Sequence, residues 1–303
     1  MRIDSMPAFR RSKLAGRRRL LRPLQLLGDW AVLLPLGLVI LFLLLGPALK
    51  IAIDSFEDEA GGATLGNWLS LLDVPLVRRS IMGSLSVGAL VATLSTLLGT
   101  PLAWAVDHLR PGRRSLGIAF LTVAANLSAT ALVFGFSAAF GTVGLVTLAV
   151  QELWPGFMGV DLYDPTGVVY VFLYFHIPLF VLLTLPAMGI VSQRLWEAAA
   201  VCGAKPRFFW WRIGLPMLLP FLAAGWFLMF VWAISQYGVP LALGGADAGI
   251  DLIAIRIGAL IETAGRSNRF GQAACLSILL IALSALALLV YHRLLRRAAR
   301  WIA

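Results

Sequence analysis

The sequence predicts an all-α membrane protein with six spanning helices and both termini in the cytoplasm. Three observations carry that reading. Of the 303 residues, 60% are hydrophobic and only 13% are charged, against about 25% charged in a soluble domain. Six uncharged stretches reach the ~20 residues that a helix needs to cross a bilayer; they lie at 30–49, 80–106, 115–151, 166–193, 213–246 and 270–291. The third observation is where the charge sits.

The net charge is +10, from 25 Lys and Arg against 15 Asp and Glu. Eight basic residues precede Trp30, three follow the second run, four follow the fourth and four close the chain; the acids among them are Asp4, Asp29, Asp107 and Glu197, leaving +15 on that side. The opposite side holds Lys50, Arg78, Arg79, Arg256, Arg266 and Arg269 against 11 acids, leaving −5. Positive charge marks the cytoplasmic side, and an even number of spans returns both ends to it.

The elements follow in order. Residues 1–29 form a basic tail, and its "RRSKLAGRRRLLR" reads as an anchor on the anionic inner leaflet. Lipid is therefore the expected partner, and nucleic acid is not. No cleavable leader is expected, because the first apolar run is long enough to span and no small-residue cleavage pattern follows. Residues 30–79 give the first span and an acidic outer loop; 80–292 give the core; 293–303 form a second basic tail. Cys202 and Cys275 fall on opposite sides, so no disulfide is expected between them.

Two runs are too long for one straight helix. The stretch 115–151 would extend ~55 Å at ~1.5 Å per residue and is expected to break near Gly141-Thr142-Val143-Gly144. The stretch 213–246 is expected to break near Tyr237-Gly238-Val239-Pro240. Residues 141–154 and 238–262 fit re-entrant, interfacial or spanning backbone. Within the latter, "IDLIAIRIGALIETA" has apolar residues at helical spacing, and a short amphipathic helix capping the outer face is expected there. Irregular backbone at membrane depth must be covered by protein or line a wet cavity.

Between the fourth and fifth runs lies "WEAAAVCGAKPRFFWWRIGLPMLLP", Trp196 to Pro220. Residues 195–202 are rich in Ala and Glu, both good helix formers. Gly203 follows, the usual residue where a helix stops in a left-handed conformation. Pro206 suits a first turn. Lys205, Arg207 and Arg212 alternate with Phe208, Phe209, Trp210 and Trp211, which makes an amphipathic element expected at the membrane surface. Pro216 and Pro220 mark the expected re-entry into the bilayer. A short exposed helix of this kind can press into a groove on a partner.

The spacing Glu197-Ala198-Ala199, three residues, Gly203, nine residues, Ile213, one residue, Leu215-Pro216 resembles the signature loop of permease subunits of bacterial binding-protein-dependent ABC importers. Downstream, "WAISQYGVPLALGG" resembles the polyamine-type branch, and "SLSVGALVATLSTLLGTPLAWAV" resembles its first core helix. The resemblance covers about residues 80–292. It implies the bundle of a type I importer permease. It also implies that residues 192–216, Ala204 and Arg207 among them, form a coupling loop seated in a cytoplasmic ATPase. Gly203 would permit the turn, and Glu197 would face the ATPase or cap the loop. The implied partners are two ABC ATPase subunits, a second permease (identical or homologous) and an extracytoplasmic substrate-binding protein. The implied cargo is a polyamine-like solute, with thiamine, phosphonates and iron chelates as further members of the class.

No Gly-x-x-x-x-Gly-Lys-Ser/Thr occurs, and such a loop is what cradles the phosphates in a P-loop ATPase. The chain is therefore expected to be no enzyme and to bind no cofactor, with ATP and Mg²⁺ held by the partner ATPase. No His, Cys and carboxylate set has metal-ligand spacing. An ion-coupled secondary transporter places ionisable residues within its spans, whereas these six runs hold only His176. A non-transporting scaffold would not need helix breaks. The polar residues that remain inside the runs mark the expected substrate path: Asn126 and Ser128, Tyr174 and His176, and Ser235-Gln236-Tyr237. Each has an alternative as glue between helices, and His176 has the further one of serving a carbonyl freed by Pro178.

Overall fold

The computed structural model describes residues 35–58, 62–156, 161–245, 249–263 and 270–299. The amino-terminal basic tail lies outside the described residues. Among the described residues, six helical stretches are long and apolar enough to cross a membrane, one of them, Ala129–Leu153, made of two consecutive helices. The chain divides at Asp54 into two compact units. The first carries α1, Pro35–Asp54, an apolar helix with a π turn at Leu41–Leu45 and a Lys50–Asp54 ion pair in its last turn.

The second unit starts at Ser55, and its described residues are mainly helical, with one isolated bridge between Glu57 and Ala63. Its helices are α2 (Gly66–Asp73), α3 (Pro75–Asp107), α4 (Pro111–Ala125), α5 (Ala129–Phe140), α6 (Leu145–Leu153) and α7 (Pro165–Met188). Then come α8 (Gln193–Val201), α9 (Pro206–Ser235), α10 (Gly238–Ala242), α11 (Ile253–Thr263) and α12 (Phe270–Ala299). Proline opens α3, α4, α7 and α9, where its missing N–H costs nothing and its φ is already helical. Asp164 caps α7: one carboxylate oxygen accepts from the Gly167 N–H at 2.8 Å and from the Thr166 hydroxyl at 2.6 Å. Those bonds, led by the Thr166 one, hold the Asp164 carboxyl below its ordinary range.

The core rests on α3 lying along α7 in the same direction. Gly99 faces Phe180, and Val87 and Val91 share one apolar cluster with Val168 and Phe172. Phe180 is fully buried and joins three helices. A Cβ at Gly99 of α3 would lie 2.5 Å from its ring, and one at Gly225 of α9 2.8 Å away. Only glycine lets both neighbours approach so closely. A second cluster joins Ala103, Phe180, Leu218 and Met229, and a third joins Val77, Ile253, Leu260 and Leu276.

Three expectations change. The 115–151 run breaks twice rather than once: at Gly141–Gly144, as expected, and also at Asn126–Ser128. The second break follows from side chains that compete with helix bonds; Asn126 Nδ2 donates to the Thr122 carbonyl at 2.7 Å. The "AKPRFFWWR" stretch is continuous with the helix that follows it, since α9 runs unbroken from Pro206 to Ser235. The helix at 253–263 is less a cap than a packed member of the bundle, with Ile253, Ile255 and Leu260 buried.

The Phe180 clamp gives a direct test. Gly99→Leu should destabilise the purified protein by about 1–3 kcal/mol, the range for overpacking a tight site. Thermal unfolding in detergent would read this as a lowered midpoint, and an unchanged midpoint would mean that α3 and α7 do not approach at Gly99.

Candidate functional site: coupling loop and helix breaks

The loop is built as helix, turn and helix. Ser192 caps α8, its hydroxyl oxygen accepting from the Leu195 N–H at 3.4 Å. At the other end the Ala204 N–H bonds the Ala199 carbonyl at 3.0 Å, and the Gly203 N–H bonds the Ala200 carbonyl at 2.9 Å. This pair of bonds is the Schellman closure. It places Gly203 at φ +78°, where any Cβ would be strained.

Pro206 then opens α9. Its first turns widen into a π turn at Trp210–Gly214, where the Leu215 N–H reaches back to the Trp210 carbonyl. Pro216 supplies the reason: it has no N–H for the Arg212 carbonyl and its ring would clash there in a regular helix. A π turn re-spaces the ladder around such a defect. The Leu215-Pro216 end of the motif thus shapes the junction between loop and span.

Aromatic rings fasten the loop to the bundle. Trp196 of α8 meets Phe209 edge-on with centroids 5.1 Å apart, and Trp210 meets Trp104 of α3 edge-on at 6.1 Å. Trp104 also lies over His108, with centroids 4.4 Å apart. Phe209 is only 2% exposed. Edge-to-face pairs of this kind contribute about 0.5–1.5 kcal/mol beyond area burial.

The other side of the loop is open. A hollow of about 660 Å³ is lined by Leu195, Ala198, Ala199, Gly203, Ala204, Phe208 and Ile213. Glu197, Ala198, Gly203, Arg207 and Pro216 are exposed; Ala199, Ala204, Ile213 and Leu215 are half-buried. Glu197 has no ion-pair partner among the described residues. Val201 is 89% exposed and Phe208 55%. Both fall within the 192–216 loop, although the sequence singled out neither as a contact residue. Exposed apolar surface rimmed by charge marks interaction sites.

The second region lies at the helix breaks. Asn126 ends α4, and Ser128 sits in extended backbone before α5 (φ −62°, ψ +136°). Gln236 is likewise extended (ψ +125°) after α9, and α10 begins at Gly238. The two breaks are neighbours: a Cβ at Gly238 would lie 3.3 Å from that of Ala129. The Tyr237 ring packs on Gly258 of α11. The structure therefore sets the break carrying Asn126 and Ser128 beside the one carrying Ser235, Gln236 and Tyr237, from two segments distant in sequence. Gln236 is half-buried and the other four are exposed. Tyr174 reaches α5 through Phe136, edge-on at 5.5 Å.

His176 differs from this group. It is fully buried, with Nδ1 2.8 Å from the Phe172 carbonyl. Pro178 frees the Tyr174 carbonyl, four residues before it, so His176 does not serve the proline's orphan. Among the described residues no cluster of His, Cys, Asp and Glu could hold a metal. Both cysteines are free, Cys202 exposed and Cys275 buried.

Residues 95–302 match the family described as binding-protein-dependent transport system inner membrane component. The spermidine/putrescine transport system permease protein PotB of Salmonella typhimurium is 30% identical over 270 residues, covering 85% of this chain and 90% of that protein. The molybdenum transport system permease protein ModB of Mycobacterium tuberculosis is 26% identical over 187 residues, covering 60% of this chain and 67% of that one. Among solved structures, a bacterial ABC transporter involved in the import of the acidic polysaccharide alginate superposes with a TM-score of 0.70 at 18% identity, covering 93% of this chain and 98% of that one. The shared fold, the matched residues and the six apolar helices agree: this chain belongs to the binding-protein-dependent transport system inner membrane components, and it is a multi-pass inner-membrane permease of an ABC importer, with ATP hydrolysis left to a separate subunit.

Proposed function

We propose that this permease carries a small polar solute through the paired helix breaks, driven through the loop at residues 192–216. The single observation behind this reading is the loop's construction. Its outer side is an open, mostly apolar hollow, and its inner side is fastened by rings to α3 and α9. A push on α8 therefore moves those spans rather than bending the loop. The partner seated in the hollow is an ABC ATPase, and ATP and Mg²⁺ are bound there and not by this chain.

Two ATPases act on two permeases, the second identical to this chain or homologous to it. A substrate-binding protein docks on the outer face, and both termini are cytoplasmic. The net −5 of the outer segments offers that protein one surface. Solute passes at Asn126, Ser128 and Ser235-Gln236-Tyr237, where unwound backbone and polar side chains replace part of its hydration. Tyr174 stands beside this path. The cargo is polyamine-like, a reading supported by PotB relatives aligned over 84–85% of the chain. Thiamine, phosphonates and iron chelates fall in the same size and polarity class.

Uptake of labelled putrescine and spermidine by cells with and without the gene tests the cargo; equal uptake would remove polyamines from the reading. Gly203→Val should leave insertion intact and lower coupled uptake at least about tenfold, since left-handed backbone costs a residue with a Cβ ~1–2 kcal/mol and the Schellman turn would be lost. Wild-type uptake by this variant would dismiss the turn from coupling. Glu197→Lys should weaken co-purification of the ATPase, and undiminished recovery would place Glu197 outside the interface. In a Cys202→Ala background, cysteines at Asp58 and Asp161 should react with impermeant reagent from outside and one at Lys205 only from inside. The reverse pattern would invert the topology.

A further inference from the structure

Two polar side chains at the centre of the bundle belong neither to the loop nor to the breaks. Ser95 of α3 and His176 of α7 are both fully buried. Ser95 Oγ and His176 Nε2 are buried atoms without a hydrogen-bond partner. The register of the two parallel helices sets them at one level. Gly99 faces Phe180; Ser95 and His176 each lie one turn before that pair, and Val91 and Phe172, one turn further back, belong to one apolar cluster. His176 is also the midpoint of the 24-residue α7.

Their chemistry is complementary. The Phe172 carbonyl beside Nδ1 can only accept, so Nδ1 carries the proton and Nε2 of the neutral ring is an acceptor. Ser95 has a donor to offer. Other hydroxyls of the bundle spend theirs on their own helix: Ser80, Thr96, Thr100 and Thr184 each donate to the carbonyl four residues back. Ser95 does not. In hydrocarbon no lipid group can satisfy either atom.

We infer that Ser95 and His176 form a polar latch between α3 and α7, the hydroxyl donating to one water that in turn donates to Nε2. The latch is a positioning device. It holds the register of two spans that carry the loop's motion, α3 through Trp104 and α7 through the Phe180 clamp. Its effect on transport rests on the coupling reading above; its existence does not.

Nitrogen NMR of the assembled transporter with ¹⁵N-histidine tests existence. His176→Phe identifies the His176 resonances by their loss. Ser95→Ala, which removes one hydroxyl and no apolar contact, should move the acceptor-nitrogen resonance of His176 downfield and leave the Nδ1 resonance in place. An unmoved acceptor resonance overturns the latch. For the role, Ser95→Ala and His176→Phe should each slow uptake about fivefold, and the double variant no further than the worse single one. Multiplying effects, or full uptake by Ser95→Ala, overturn the positioning role. His176→Gln, which keeps a polar atom at that reach, should recover most of the rate; recovery no better than with Phe also counts against it. A wild-type transporter that imports nothing tested would sink the cargo reading and leave the NMR result standing.

Discussion

A bilayer offers the backbone no hydrogen-bond partners, and the rest of this structure follows from that shortage. Every N–H and C=O at depth must be satisfied by the chain itself. The spans are therefore helices, and hydroxyls such as those of Ser80, Thr96, Thr100 and Thr184 turn back onto their own carbonyls. Prolines at positions 101, 178, 216 and 220 interrupt the ladder without ending the helices. At Pro216 the interruption is absorbed by a π turn whose geometry also sets how the loop meets α9.

Where the backbone does leave the helix, the reason is local and the consequence is not. Asn126 and Ser128 break one span through their side chains, and Gln236 and Tyr237 interrupt another. Each break alone would expose costly polar groups. Ala129 packs against Gly238, so the two breaks lie beside each other although they are more than a hundred residues apart in the chain. Under the proposed function these breaks supply the polar groups of a solute path without placing a carboxylate or a cation in it.

The loop and the bundle centre meet different mechanical demands. Under the proposed function the loop must be stiff towards its own protein and open towards its partner. The ring contacts from Trp196 through Phe209 and Trp210 to Trp104 supply the stiffness, and the hollow over Ala198, Ala199 and Gly203 supplies the opening. Deeper in, Phe180 between Gly99 and Gly225 holds three helices at close range by shape alone. Shape allows helices to slide in a way that a hydrogen bond does not, which is why the Ser95 and His176 pair matters at the same level.

Composition, run length and charge asymmetry were enough to determine from the sequence alone that this is a six-span membrane protein, because burial in lipid constrains every residue of a span independently. The spacing from Glu197 to Pro216 was legible for the same kind of reason: a helix, a left-handed glycine and a proline restart are local events. The Gln236–Tyr237 break was legible to within a residue from its Gly and Pro neighbours. The break at Asn126 was missed, since its Asn-x-Ser signal is weak beside the strong apolar run around it. Only the tertiary structure decided which polar residues meet. It joined the two breaks, withdrew His176 from them into the core, and set Ser95 level with it. Those pairings depend on helix register and direction, which are fixed by close contacts such as Gly99 against Phe180, and no periodicity within one segment encodes how it lies against another.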